Sequence, residues 1–374
     1  GAPRPKSGIV GLGFLVLLVA FASCARERST QDGGRRLVRF WAFGREGDEV
    51  RALVPEFERR NPDLRVEVQQ IPWTAAHEKL LTALVGDATP DAAQLGNTWI
   101  AEFVALGALA PLDANVARSR SLARGDFFVG AWDGNRVEDS NGPQTYGLPW
   151  YVDTRVIFYR SDLLNATGAP WPPKSWDEWR TAMSRLVSSP SQDSNQSSKG
   201  KDERYAILLP IDEWAQPTLL GLSLGAPLLR DGFRDPRFRR AMDFYTSLYR
   251  DGFAPPLDRS GLANLYQQFA EGYFAMVITG PWNLSEFAAR LPPEMNDRWA
   301  TAPIPPPQMG DPYPGASIAG GASLVVFREA KNPEGAWRWL EYLTEAQVQA
   351  DFYARVGDLP ARIAAWPLAG LDRN

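Results

Sequence analysis

The chain has 374 residues, 44% hydrophobic and 22% charged, the balance of an ordinary globular protein and long enough for about two domains. Its 40 basic and 44 acidic side chains leave a formal charge of −4, so no basic field recommends nucleic acid as a partner. One histidine, His77, and one cysteine, Cys24, exclude internal disulfides, cysteine-rich zinc sites and the two-histidine zinc-protease motif, and no metal or cofactor is expected.

Arg4 and Lys6 precede an uncharged run over 8–23 of 16 residues. As a helix it would span about 24 Å, short of the ~30 Å hydrocarbon core of a bilayer. A positive start, a short apolar stretch and small residues at its end predict a secretory signal over 1–23. The run ends Phe21-Ala22-Ser23-Cys24, which resembles the lipobox of bacterial lipoproteins with Phe21 in place of the usual Leu. That resemblance implies lipidation of Cys24 and attachment to the outer side of the cytoplasmic membrane. Residues 24–36 (CARERSTQDGGRR) are polar and Gly-containing, as a flexible tether should be. Loss of Arg4 and Lys6 with the signal takes the formal charge from −4 to −6.

Beyond the tether, 37–43 (LVRFWAF) reads as a strand and 48–60 as a helix with Val50, Leu53, Val54 and Phe57 at helical spacing, stopped by Asn61-Pro62. A strand over 65–71, a helix holding His77, a strand over 91–95 and a helix over 99–106 continue the alternation. That pattern predicts a βαβ sheet with parallel strands and a ligand crevice at the strand ends. His77 lies in the amphipathic stretch 75–85 and reads as a surface or groove-lining helix residue rather than a catalytic base. Residues 146–160 (YGLPWYVDTRVIFYR) form one long extended segment. Ser175-Trp176-Asp177-Glu178 is a capping box opening a helix to 187. The polar run 188–202 is a solvent loop, and helices follow over 236–250, 264–271 and 283–290. The Pro-rich 302–314 is an extended crossover. A strand over 316–327 and a helix over 332–356, with Trp337, Leu340 and Leu343 on one face, complete the pattern. There is no internal repeat.

Four segments set an aromatic and a polar group beside a Gly or Pro turn: WAFGREG (41–47), GNTW (96–99), PWYVD (149–153) and GPWN (280–283). Sugars need this pairing, because ring C–H faces stack on flat aromatic surfaces while hydroxyls need carboxylate, amide or guanidinium partners. With VPEFERRNPDLRVEV, TPDAAQLGNTWI, GLPWYVDTRVIFYR, WPPKSWDEW, FAEGYFAMVITGPWN and GDLPAR, these segments make the chain resemble, from 37 to 366, the extracellular solute-binding proteins of ABC importers in the maltose/oligosaccharide class.

The resemblance implies an α/β, two-lobed periplasmic-binding-protein-like fold of the class II type. Each lobe is a mainly parallel sheet flanked by helices, and hinge segments cross between them. It divides the chain into 37–147 plus 303–327 as the first lobe and 148–302 plus 328–374 as the second. Its implied ligand contacts are Arg45, Glu46, Asn97, Thr98 and Trp99 in the first lobe, Tyr151 and Asp153 on the crossing strand, and Glu213, Trp214 and Trp282 in the second lobe, with Arg362 and Trp366 near the end. The implied partners are a sugar or oligosaccharide and the permease subunits of an importer, with the protein a monomer and no enzyme. Two other readings stand beside this one: a secreted glycoside hydrolase working with two carboxylates such as Glu46 and Asp153, and a carbohydrate-binding surface lipoprotein. The start at Gly1 rather than Met, and the eight residues after Trp366 where the family adds a further helix, lead us to expect a chain shortened at both ends.

Overall fold

The computed structural model describes residue 1 and residues 31–32, 34–139, 142–189, 204–227, 231–258 and 264–373. Residues 2–23 of the expected signal, Cys24, residues 25–30 and 33 of the expected tether and 190–202 of the polar loop lie outside the described residues; the end of the expected tether is instead strand, with Gln31 and Asp32 paired to Arg36 and Arg35.

Two separate sheets organise the rest. In the first, Arg35–Phe43 pairs in parallel with Leu64–Ile71 on one side and Ala92–Gly96 on the other. Gly320–Val326 joins Ala92–Gly96 to Leu148–Asp153, antiparallel to both, and Leu359–Pro360 closes the edge on Leu148–Asp153. The predicted βαβ alternation therefore makes the parallel half, and returning strands make the rest. Side-chain alternation along each strand feeds two cores. Val38, Phe40, Ala42, Leu324 and Val326 face one, while Phe43, Ala93, Leu95, Val325 and Phe327 face the other.

The second sheet runs in the order Trp299–Ala302, Val156–Arg160, Phe274–Thr279, Tyr205–Leu208. Only its last pair is parallel. Ile157, Trp179, Met276 and Ile304 pack on one face and Phe158, Phe274, Val277 and Phe287 on the other. In front of Trp176–Ser188 the Ser175 hydroxyl accepts the Glu178 N–H at 3.2 Å, while the Glu178 carboxylate accepts the Lys174 N–H rather than that of Ser175.

The division into lobes needs correcting at three places. Leu148–Asp153 belongs to the first sheet, and 303–319 stays with the second lobe, where Ile304 and Ile318 pack. The C-terminal helices Pro333–Leu343 and Ala346–Val356 cover the first sheet, not the second: Trp339 sits edge-on to Phe40 at 5.8 Å and Phe57 at 4.9 Å, and Phe352 stacks on Trp150 at 4.6 Å. Helical spacing identifies the apolar face of such a helix but not the sheet it covers, which is why the sequence misplaced it.

The lobes are joined at Thr154-Arg155 and at the segment before Gly320. One hydroxyl ties these crossings: Ser317 Oγ donates to the Arg155 carbonyl (2.8 Å) and accepts from the Arg155 N–H (3.0 Å) and Thr154 Oγ1 (2.9 Å).

Candidate functional site

The strand Arg35–Phe43 ends at Gly44, whose φ of 53° is left-handed and whose missing Cβ leaves room for Trp73, 2.6 Å from where that atom would stand. The turn feeds the helix Gly44–Glu49 and points Glu46 back over the sheet. Glu46 is 8% exposed, and its carboxylate accepts from Tyr151 Oη (2.7 Å), Trp73 Nε1 (3.1 Å) and Gln94 Nε2 (3.4 Å). Gln94 also donates to Tyr151 Oη at 3.0 Å and accepts the Phe43 N–H at 2.7 Å. The acid is thus held by three neutral donors on three different strands or helices. Beside it lies an aromatic wall: Trp73 edge-on to Phe43 (5.1 Å) and Trp99 (5.8 Å).

Two residues along the crossing strand, Asp153 pairs with Arg155 at 3.2 Å, both side chains largely covered. The Arg155 guanidinium lies 4.8 Å over the Trp282 ring of the second lobe, so acid, cation and indole form one stack across the hinge. Gly320 faces Asp153, and a Cβ there would stand 2.0 Å from its Oδ1. Burial pushes the Asp153 carboxyl above the ordinary range, which Arg155 offsets in part and Glu213 reinforces. Burial, then Glu46, raises the Tyr151 phenol well above its usual value, so it stays a donor.

The third acid is Asp358. The helix Ala346–Val356 ends at Gly357 (φ 81°), and the chain turns so that Leu359 and Pro360 pair with Val152 and Tyr151. Asp358 immediately precedes that paired stretch, near enough to Asp153 for the two charges to repel. Asp358 is 7% exposed, and burial together with Glu46 and Asp153 drives its carboxyl well above the usual range, with Arg45 the one opposing charge.

Of the residues singled out in the sequence, Glu46, Tyr151, Asp153 and Trp282 come together here. Asn97, Thr98 and Trp99 form a short 3-10 turn after Ala92–Gly96, with Trp99 in the aromatic wall. His77 is on its helix as expected, edge-on to Trp99 (5.0 Å) and 2.8 Å from Glu102. In the second lobe Glu213 caps the Ala215 N–H, and Trp214 beside it is 54% exposed. Trp366 is half-buried, donates to the Pro360 carbonyl at 2.9 Å and meets Phe128 edge-on.

Two arginines go elsewhere. Arg45 reaches across to the second lobe, donating to Glu286 (3.1 Å) and Ser285 (3.4 Å), and to the Arg355 carbonyl (2.8 Å). Arg362 is held inside the first lobe by the Thr344 and Ser121 carbonyls and by Asp126 at 3.1 Å. A guanidinium has five donors, and nearby carbonyls and carboxylates claim them first. Sequence reasoning missed Arg155, Trp73, Gln94 and Asp358. For Asp358 a signal was present, a charge between a helix-ending Gly and the apolar Leu359-Pro360, but the same motif drew attention to Arg362.

A family model described as bacterial extracellular solute-binding protein matches residues 44–350. The sugar-binding protein MalE from Xanthomonas citri is 43% identical, with a TM-score of 0.76 over 90% of this chain and 82% of that one. The maltodextrin-binding protein MdxE of Bacillus subtilis is 24% identical over 99% of this chain and 84% of its own length, and the diacetylchitobiose-binding protein DasA of Streptomyces coelicolor 23% identical over 95% and 82%. The two-lobed architecture and the match over most of its length make this chain a member of the bacterial extracellular solute-binding protein family.

Proposed function

We propose that this protein captures a sugar or oligosaccharide between its two lobes and hands it to the permease of an ABC importer without altering it. The observation that carries the reading is the junction itself. Largely covered acceptors from the first lobe (Glu46, Asp153, Asp358) gather at the junction, Glu46 against Trp73 of the Trp73–Trp99 wall and Asp153 linked to Trp282 through Arg155. Acceptors beside flat rings are what polyhydroxylated rings require, and the named relatives bind maltodextrin and diacetylchitobiose. Trp214, Trp366, Asn97 and Thr98 extend the ligand surface in this reading, while Arg45 serves as a rim contact between lobes. The hinge tied by Ser317 lets a ligand touching both lobes favour the closed form by its differential affinity. Cys24 carries the lipid that holds the monomer on the outer side of the cytoplasmic membrane.

A thermal-shift screen over mono-, di- and trisaccharides tests the ligand class, since ligand at a hundredfold above Kd adds about 2.7 kcal/mol to apparent stability. A shift with sugars is expected; a shift with polyamines or peptides alone would overturn it. For the anchor, Cys24→Ser is expected to leave the signal unprocessed or to release the protein from the membrane fraction. Equal processing and retention of both forms would contradict it.

A further inference from the structure

Among the described residues every carboxylate of the junction has a partner except one. Glu46 has three donors and Asp153 has Arg155. Asp358 has lost more than nine-tenths of its exposure, accepts no hydrogen bond and joins no ion pair. The charges that face it are Glu46 from the first helix and Asp153 from the neighbouring strand, both repulsive, with Tyr151 a neutral phenol and Arg45 the one opposing cation, itself turned to Glu286. Like charges close together disfavour one another's ionised form, and a largely buried carboxylate without donors carries a desolvation cost that no contact offsets. A fold has no reason to place an acid there for its own stability.

We propose that Asp358 is the specificity-determining acceptor of the cleft, placed to take two hydrogen-bond donors from one end of the ligand. Resting on the sugar reading above, the proposal names the shared chemistry: two adjacent O–H or N–H groups, supplied either by a vicinal diol or by an amino sugar. Three supports converge. Gly357 in the left-handed region delivers Asp358 to the strand edge beside Tyr151, which is already fixed by Glu46 and Gln94. The Asp358 carboxylate accepts from no donor among the described residues, so its oxygens are free to accept from a ligand. Finally, Glu46 and Asp153 stand near enough to Asp358 to repel it, so a ligand that satisfies Asp358 meets acids already engaged by Tyr151, Trp73 and Arg155, which selects on the spacing of its donors.

The test is calorimetric titration of wild type, Asp358→Asn and Asp358→Ala with maltotriose and with the free-amine chitosan dimer, beside the melting midpoint of each unliganded protein. Asp358→Asn is expected to raise the unliganded midpoint and weaken binding of the preferred probe by about tenfold or more, about 1.4 kcal/mol. Preference of the wild type for maltotriose assigns the donors to a diol, and preference for the dimer assigns them to an amine. Equal binding by wild type and Asp358→Asn, or a lower unliganded midpoint in both variants, would overturn the proposal. Should the wild type bind neither probe, the choice of sugar fails, and the midpoints still decide: a rise keeps Asp358 as an unmet acceptor, a fall makes it structural.

Discussion

The outer face of the first lobe and its inner cleft are both crowded with charge, and they treat carboxylates in opposite ways. On the outer face a hollow of about 610 Å³ is lined by Arg60, Asn61, Arg338, Tyr342 and Glu345. At its edge Arg338 also reaches Asp63 (2.9 Å), which accepts from Arg36 as well (2.7 Å), and Glu345 accepts from Arg60 (2.9 Å). Arg338 and Arg36 hold Asp63 well below the ordinary carboxylate range, and Arg59 with Arg60 brings nearby Glu56 down to about 2. In the cleft, burial pushes Asp153 and Asp358 up instead. On the outer face Asp63 and Glu345 each have an arginine partner. The cleft keeps acceptors in reserve, at a cost to the unliganded protein.

Substitutions should separate the two regions. The largest effect is expected for Glu46→Ala, which leaves the Tyr151 hydroxyl and the Trp73 indole N–H without their acceptor, while Gln94 keeps Tyr151. Each buried donor so orphaned costs about 1–3 kcal/mol, so both the unliganded midpoint and sugar affinity should fall. Asp153→Asn keeps the shape but removes the charge. It should weaken sugar binding by about 1–3 kcal/mol by titration calorimetry, with little change in the unliganded midpoint. Trp282→Ala removes the face under Arg155 and should weaken binding by about 1–2 kcal/mol. A collapse of unliganded stability in that variant would make the indole part of the core. At the bottom of the scale, Asp63→Asn breaks exposed pairs worth no more than about 1 kcal/mol. It should lower chemical-denaturation stability slightly and leave ligand binding untouched; a loss of binding would break the contrast.

The pH dependence has opposite signs in the two regions. Asp63 has a lowered carboxyl in the folded protein, so its contribution is present above the unfolded value near 3.9 and is lost as pH falls below it. Asp153 and Asp358 have raised carboxyls, so their contribution is full below the unfolded value and is lost as pH rises through the raised one. Denaturation of the unliganded protein between about pH 4 and 8 should therefore show a decline on the alkaline side that Asp358→Asn flattens and Asp63→Asn does not.

Much of this was legible in the sequence, for reasons that also mark where legibility stops. Strands such as Arg35–Phe43 and the helix Pro236–Arg250 follow from periodicity and caps, which are local. The Asp235 side chain, for example, accepts the Arg237 N–H in front of that helix. The helix expected over 48–60 is in pieces, Gly44–Glu49, a 3-10 stretch Val50–Leu53 and Val54–Arg60, and the one expected over 332–356 is interrupted at Thr344. The partners of amphipathic helices were not legible, because Trp337 and Leu340 carry no mark saying which sheet they cover. Of the residues that meet at the junction, Glu46, Tyr151, Asp153 and Trp282 stand out in the sequence as aromatic and acid beside a turn. Arg45 and Arg362 were read as ligand contacts because an arginine beside a turn looks the same whether it faces a ligand, another lobe or a carbonyl. Asp358 was missed because its meaning comes from Tyr151 and Asp153, two hundred residues away in the chain.

The central claim is that the cleft binds sugar reversibly through its reserved acceptors. Its most direct test is a calorimetric titration of the wild type with maltotriose and the free-amine chitosan dimer, followed by assay of the same samples for new reducing ends. The account predicts one-to-one saturable heat with at least one of them, weakened by Asp153→Asn, and no reducing ends released. Release of reducing ends by the wild type that Asp153→Asn abolishes would contradict it and make the protein a hydrolase.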